Sequence, residues 1–149
     1  MQLIIFIGLQ ASGKSTFYRE NFIDSHIRIN LDMLKTRHRE QILFNACLEA
    51  KQPVVIDNTN PTVEDRQRYI KPAQEKDFQI IGYYFESKIE DCKIRNSQRQ
   101  GKKVIPTMGI LATAKKLVIP SFHEGFAKLF YVKIDRNYSF IIEEWQNEI

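Results

Sequence analysis

A chain of 149 residues that is 43% hydrophobic and 27% charged has the composition of a globular domain, long enough to bury one core and too short for two. No apolar run approaches the length of a membrane span, and no basic segment precedes the first apolar run, which argues against a membrane or secreted protein and for a cytoplasmic one. The net charge of +4 is uneven: residues 88–136 carry 11 Lys and Arg against 4 Asp and Glu, while residues 137–149 carry only acids. A basic stretch of that kind suits a polyanionic partner, or a solvated basic face.

Leu3-Ile4-Ile5-Phe6 is an apolar run of the sort that a strand buried on both faces requires. Gly8-Leu9-Gln10-Ala11-Ser12-Gly13-Lys14-Ser15 follows with the spacing Gly-x-x-x-x-Gly-Lys-Ser, and helix-compatible residues come after it. Strand, glycine-rich turn and helix together make a phosphate-binding loop. Small residues let successive backbone N–H groups converge on a polyphosphate at a helix N-terminus, where the dipole also favours anions. Gly8, Gln10, Ala11, Ser12, Gly13, Lys14, Ser15 and Thr16 therefore read as nucleotide-binding. Within this run Lys14 reaches the β- and γ-phosphates, and the Ser15 hydroxyl binds the accompanying Mg²⁺.

A first helix is expected from Lys14 to Phe22, broken at Asp24-Ser25, and His26 to Ile29 alternates as a short strand. Asn30-Leu31-Asp32 follows at its carboxyl end, where open parallel sheets place their chemistry. From Met33 to Ala50 apolar residues recur at helical spacing in the latter part, after a basic, exposed stretch, Lys35 to Arg39. Pro53 to Asp57 reads as a third buried strand ending in a carboxylate that can hold Mg²⁺. Thr62-x-x-Asp65 can cap a helix to about Glu75, interrupted or ended near Pro72. Phe78 to Phe85 is a fourth strand, and Ile89 to Gln98 a helix in which Arg95 and Arg99, at i and i+4, share a face. Gly101 to Pro106 should be a loop, Thr107 to Leu117 a helix, and Lys128 to Ile134 a last strand. The tail, with Ile141, Ile142 and Trp145, suits either a short docking helix or a strand. Cys47 and Cys92, without zinc-type spacing, read as reduced buried thiols, and His123-Glu124 as a polar turn pair.

Alternating strands and helices around a phosphate-binding loop imply an α/β, three-layer P-loop NTPase fold. Its central, mainly parallel sheet should have about five strands, with helices on both faces, all within one domain over 1–149. The site then lies along the carboxyl edge of the sheet, where Gly8 to Ser15, Asp32 and Asp57 converge.

Three further segments resemble the 5′-hydroxyl polynucleotide kinases, the kinase domains of nucleic-acid end-healing enzymes. They are Asn30-Leu31-Asp32, the run Val54 to Pro61 with Asp57-Asn58-Thr59-Asn60-Pro61, and Arg95-Asn96-x-x-Arg99 with Val104-Ile105-Pro106 after it. Pro120 to Phe126 looks like the family's region before its last strand, so the likeness extends to about Ile134. The resemblance implies a kinase-type P-loop fold with a helical lid at about 95–106, ATP as donor, Mg²⁺ as cofactor and the 5′-hydroxyl of RNA or DNA as acceptor. It implies Asp32 as general base, Lys14, Arg95 and Arg99 as catalytic cations, and Lys35, Asn58 and Thr59 as acceptor contacts. Relatives often carry Arg where this chain has Lys35, and some carry the acidic residue one position after Asp57. Many fuse the kinase to a phosphatase or ligase; no Asp-x-Asp-Gly-Thr phosphatase motif occurs here, so phosphorylation of ends without removal of 3′-phosphates is expected. A small-metabolite kinase, acting on a nucleoside or sugar, and a nucleotide-binding regulator with little catalysis are the competing readings.

Overall fold

The computed structural model describes residues 1–101 and 104–146. In chain order the elements are β1 (Gln2–Ile7), α1 (Lys14–Asn21), β2 (Ile27–Ile29), α2 (Leu31–Leu34), α3 (Arg37–Glu49), β3 (Val54–Ile56) and α4 (Val63–Glu75). Then come β4 (Gln79–Phe85), α5 (Ile89–Ser97), α6 (Thr107–Lys116), a single 3-10 turn at Phe122–Glu124, β5 (Lys128–Ile134) and β6 (Phe140–Glu144).

The strands form a six-stranded sheet in the order β2-β3-β1-β4-β5-β6, parallel except that β6 runs antiparallel to β5. Alternation along β1 makes the three layers. Leu3, Ile5 and Ile7 pack with Phe44, Leu48, Tyr69 and Ile70 of α3 and α4, whereas Ile4 and Phe6 pack with Phe17 and Tyr18 of α1. On the α1 side Phe6, Phe17, Phe22, Tyr83 and Phe85 meet edge-on or tilted at centroid distances of 5.1 to 6.1 Å. Such pairs contribute about 0.5–1.5 kcal/mol each beyond the area they bury. The chain crosses from β3 on one side of β1 to β4 on the other, so the loop after β1 opens at a topological switch point, where open α/β sheets bind ligands.

The helical spacing expected in the latter part of Met33 to Ala50 is α3, which starts afresh where Lys35 turns left-handed at φ 74° and the Thr36 hydroxyl accepts from Arg39 N–H. Pro72 does not end α4, which continues to Glu75; Ile70 and Ala73 are buried against the sheet, and this packing outweighs the single backbone hydrogen bond that a proline forfeits. Of its two expected forms the tail takes the strand, giving six strands where about five were expected. Cys47 and Cys92 are free and buried, as expected. The Thr62–Asp65 capping box is formed.

Candidate active site

The phosphate-binding loop takes its shape from its glycines. Gly13 caps α1 at φ 99°, a left-handed conformation that costs glycine nothing, and a side chain there would strike Ile134 and Phe140 at 3.0 Å. At Gly8 a Cβ would lie 3.0 Å from both Phe85 Cβ and Ser12 Oγ. The loop is tied down from outside: Gly8 N–H donates to Thr59 O, Leu9 N–H to Ser87 Oγ, and Arg95 Nε to Ala11 O at 2.6 Å. Lys14 folds back over it, donating from Nζ to Gly8 O at 2.9 Å, Leu9 O at 2.6 Å and Ser12 Oγ at 3.3 Å. Burial drives the Lys14 ammonium down to about pKa 8, against the opposing pull of Asp57.

Asp57 stands just past β3, its carboxylate 1% exposed, and accepts from Ser15 Oγ–H at 2.9 Å. The pair fits Mg²⁺, which takes one or two protein oxygens and completes its shell with phosphates and water. Among the described residues no cluster of three or more His, Cys, Asp or Glu offers an all-protein cage instead. A third member was not expected: Arg28, in the middle of β2, donates from Nε to the same Asp57 oxygen at 2.7 Å and from Nη2 to Ser15 Oγ at 3.0 Å.

Across a cavity of about 230 Å³, Lys14, Ser15 and Asp57 face Asp32, with Gln10, Thr59 and Arg99 also on its walls. Asn30 caps the single turn of α2 by accepting from Met33 N–H, and its amide holds Asp57 O, so the carboxylate of Asp32 is not spent as the cap. Asp32 is exposed and hydrogen-bonded to none of the described residues. Asn58 also lines the cavity, yet its amide is committed at both ends, accepting from Leu31 N–H at 2.9 Å and donating to Glu40 at 3.0 Å. Its geometry is that of a strut between the two walls. Gln10 donates to Thr113 Oγ1, and its amide oxygen is buried without a hydrogen-bond partner among the described residues.

A neighbouring cavity of about 290 Å³ brings Ala11, Gly13, Thr16, Arg95 and Arg99 against Tyr138 and Phe140 of the β5–β6 hairpin. Arg99 therefore borders both cavities, one residue beyond the C-cap of α5, while Arg95 serves the loop backbone and the second cavity. Gly8 and Ser12 act from behind the loop and, with Lys35, are on the walls of neither cavity. The proposed lid at 95–106 includes Lys102 and Lys103, which lie outside the described residues.

The sequence reading missed what backs the site. Arg66, fully buried, grips Glu124 through two hydrogen bonds at 2.7 and 3.1 Å and donates to Asn60 O and Val118 O, each at 3.0 Å. Asn60, left-handed at φ 45°, in turn donates to Phe6 O at 2.8 Å. Glu124 is thus a structural anchor and not a mere turn residue. The available signal was Ser121-x-x-Glu124, which forms a capping box.

The family model described as AAA domain matches residues 3–117, more than half of the chain. The chain belongs to this family. Over 132 residues it is 30% identical to a Schizosaccharomyces pombe protein named bifunctional polynucleotide phosphatase/kinase, a match covering 86% of this chain and 32% of that protein. The chain spans about a third of the length of the curated relatives it matches. A gluconokinase from Sinorhizobium meliloti superposes with a TM-score of 0.63 at 16% identity, covering 91% of this chain and 83% of that one. Kti12 from Chaetomium thermophilum, in complex with ADP-AlF3, superposes with a TM-score of 0.67 at 15% identity over 91% and 92% of the two chains. These structures share the α/β fold of a P-loop kinase.

Proposed function

We propose that this protein transfers the γ-phosphoryl group of ATP to the 5′-hydroxyl end of RNA or DNA. The observation that carries the proposal is the shared cavity, in which a phosphate-binding lysine faces an uncommitted carboxylate on a strand-end turn. The name and extent of the matched relative support a polynucleotide acceptor. ATP lies with its phosphates along Gly8 to Ser15 and its adenosine in the cavity beside Tyr138 and Phe140. Lys14 leaves the loop carbonyls for the β- and γ-phosphates, and Arg99, at the border of the two cavities, neutralises the charge spread over the transferring group. Ser15 and Asp57 would hold Mg²⁺, which neutralises charge between the β- and γ-oxygens when bound. Asp32 orients the acceptor hydroxyl and accepts its proton as the new O–P bond forms. Lys35 is left to meet acceptor phosphates as a point charge rather than a two-pronged clamp.

No helix among the described residues is long and apolar enough to cross a membrane. Incubation with γ-labelled ATP and Mg²⁺ should label a 5′-hydroxyl oligonucleotide and leave both a 5′-phosphorylated control and a nucleoside mixture unlabelled. Label on nucleosides alone would identify a small-molecule kinase instead.

A further inference from the structure

The centre of β2 carries an arginine whose task nothing above has used. β2 is an edge strand, parallel to β3 with Arg28 opposite Val55, so the side chain of Arg28 is turned to the α1 face of the sheet. There it closes a triangle. Arg28 Nε meets Asp57 Oδ2 at 2.7 Å, Arg28 Nη2 meets Ser15 Oγ at 3.0 Å, and Ser15 Oγ meets that same Oδ2 at 2.9 Å. These are the two oxygens that the proposed function gives to the divalent cation.

A carboxylate as deeply buried as Asp57 needs a counter-charge. Lys14 donates to the carbonyls of Gly8 and Leu9, whereas Arg28 donates directly to the Asp57 carboxylate and supplies a hydrogen-bonded positive charge on it. A divalent ion held by the Ser15 hydroxyl and the Asp57 carboxylate would compete with the guanidinium for those two groups, and the two cations would repel. The Arg28 side chain is 27% exposed, so it has an open path to solvent when displaced.

We propose that Arg28 is a resident cation in the metal position: it holds Ser15 and Asp57 in register and lowers the affinity of the nucleotide-free site for free divalent ions. Metal then enters together with the phosphates, whose negative charge offsets the loss of the Arg28 contacts. The inference rests on the assignment of Ser15 and Asp57 to Mg²⁺ and adds Arg28 as a positioning residue.

The test is Mn²⁺ titration of nucleotide-free protein, with free ion read by electron paramagnetic resonance and folding checked by thermal melting. The wild type should bind Mn²⁺ weakly, Arg28→Gln at least about tenfold tighter, and Arg28→Lys in between, because lysine keeps the charge but not the two-pronged contact. Adding Asp57→Asn to Arg28→Gln should erase the gain. If Arg28→Gln does not fold, the comparison of Arg28→Lys with wild type decides. Mn²⁺ affinity in folded Arg28 variants no tighter than wild type, while binding of the Mn²⁺–ATP complex still requires Asp57, overturns this inference alone. Binding of Mn²⁺–ATP that is indifferent to Asp57→Asn overturns the metal assignment and this inference with it.

Discussion

On the donor wall of the cavity Lys14, Ser15 and Asp57 are buried or half-buried, and each is hydrogen-bonded to the loop or to one another. On the acceptor wall Asp32 is exposed on a helix of four residues, and Lys35, just after it and off the cavity wall, is an exposed left-handed residue. The donor wall is also backed by a buried strap, Arg66 to Glu124 and Asn60 to Phe6 O, whereas behind α2 stands the Asn58–Glu40–Tyr69 network, which fixes the turn through Leu31 N–H. The difference follows from the ligands proposed for each. A triphosphate has one shape and a large fixed charge, so preorganised donors are effective against it. A chain end varies in sequence and approach, and an open turn accommodates that.

Two substitutions separate the walls most sharply. Lys14→Ala should reduce transfer by about 10³-fold or more and weaken ATP binding with it. Asp32→Asn should reduce transfer by about 10²–10⁴-fold while leaving ATP affinity, read by calorimetry, within about twofold of wild type. An active Asp32→Asn protein would remove the base assignment and with it the chemical distinction between the walls. A smaller effect probes the backing. Arg66→Met leaves Glu124 buried without its partner and should cost about 3–5 kcal/mol of stability in urea unfolding, because breaking one side of a buried pair exposes the full desolvation penalty. A loss below about 1 kcal/mol would mean that the strap does not stiffen the donor wall. The smallest effect is a protonation signature. Lys14 titrates near 8 in the nucleotide-free protein, below its ordinary value, so its charge is lost as pH rises through about 8. Phosphates favour the charged form and raise that pKa, so nucleotide binding at pH 8 should take up about half a proton, falling towards zero below pH 6.5. Calorimetry in two buffers of different ionisation enthalpy measures it, and no uptake at pH 8 would show that Lys14 is already exposed to solvent.

The same contrast governs what could be read from the residues. The donor loop was legible in full, because a contiguous spacing of glycines, lysine and serine carries its own geometry. The strands were legible wherever apolar runs were bounded by turn residues, as at Leu3 to Phe6 and Val54 to Ile56. The pairings that complete the site were not. Arg28 sits between two isoleucines in a strand and reads as a solvent-facing alternate, and its contacts with Ser15 and Asp57 depend on parallel pairing of distant segments. Arg66 and Glu124 are 58 positions apart, beyond any local periodicity. β6 was ambiguous because its outward residues, Ile141 and Ile142, are adjacent rather than alternating; it is defined by the turn at Asp135, whose carboxylate accepts from Asn137 and Ser139 N–H at 2.9 Å. Asn58 lines the cavity, and its bridging of Leu31 N–H and Glu40, residues distant in sequence, could not be read from its neighbours.

Gly13 lies against Ile134 and Phe140, which pair beside the turn of the hairpin at the edge of the sheet. During synthesis the loop is made well before the hairpin that walls it. The strand beneath it likewise waits for residues 79–84 to pair with β1. A nascent chain therefore holds the phosphate-loop motif before it has the residues that wall the neighbouring cavity, and the proposed nucleotide site is complete only once Phe140 has cleared the ribosome.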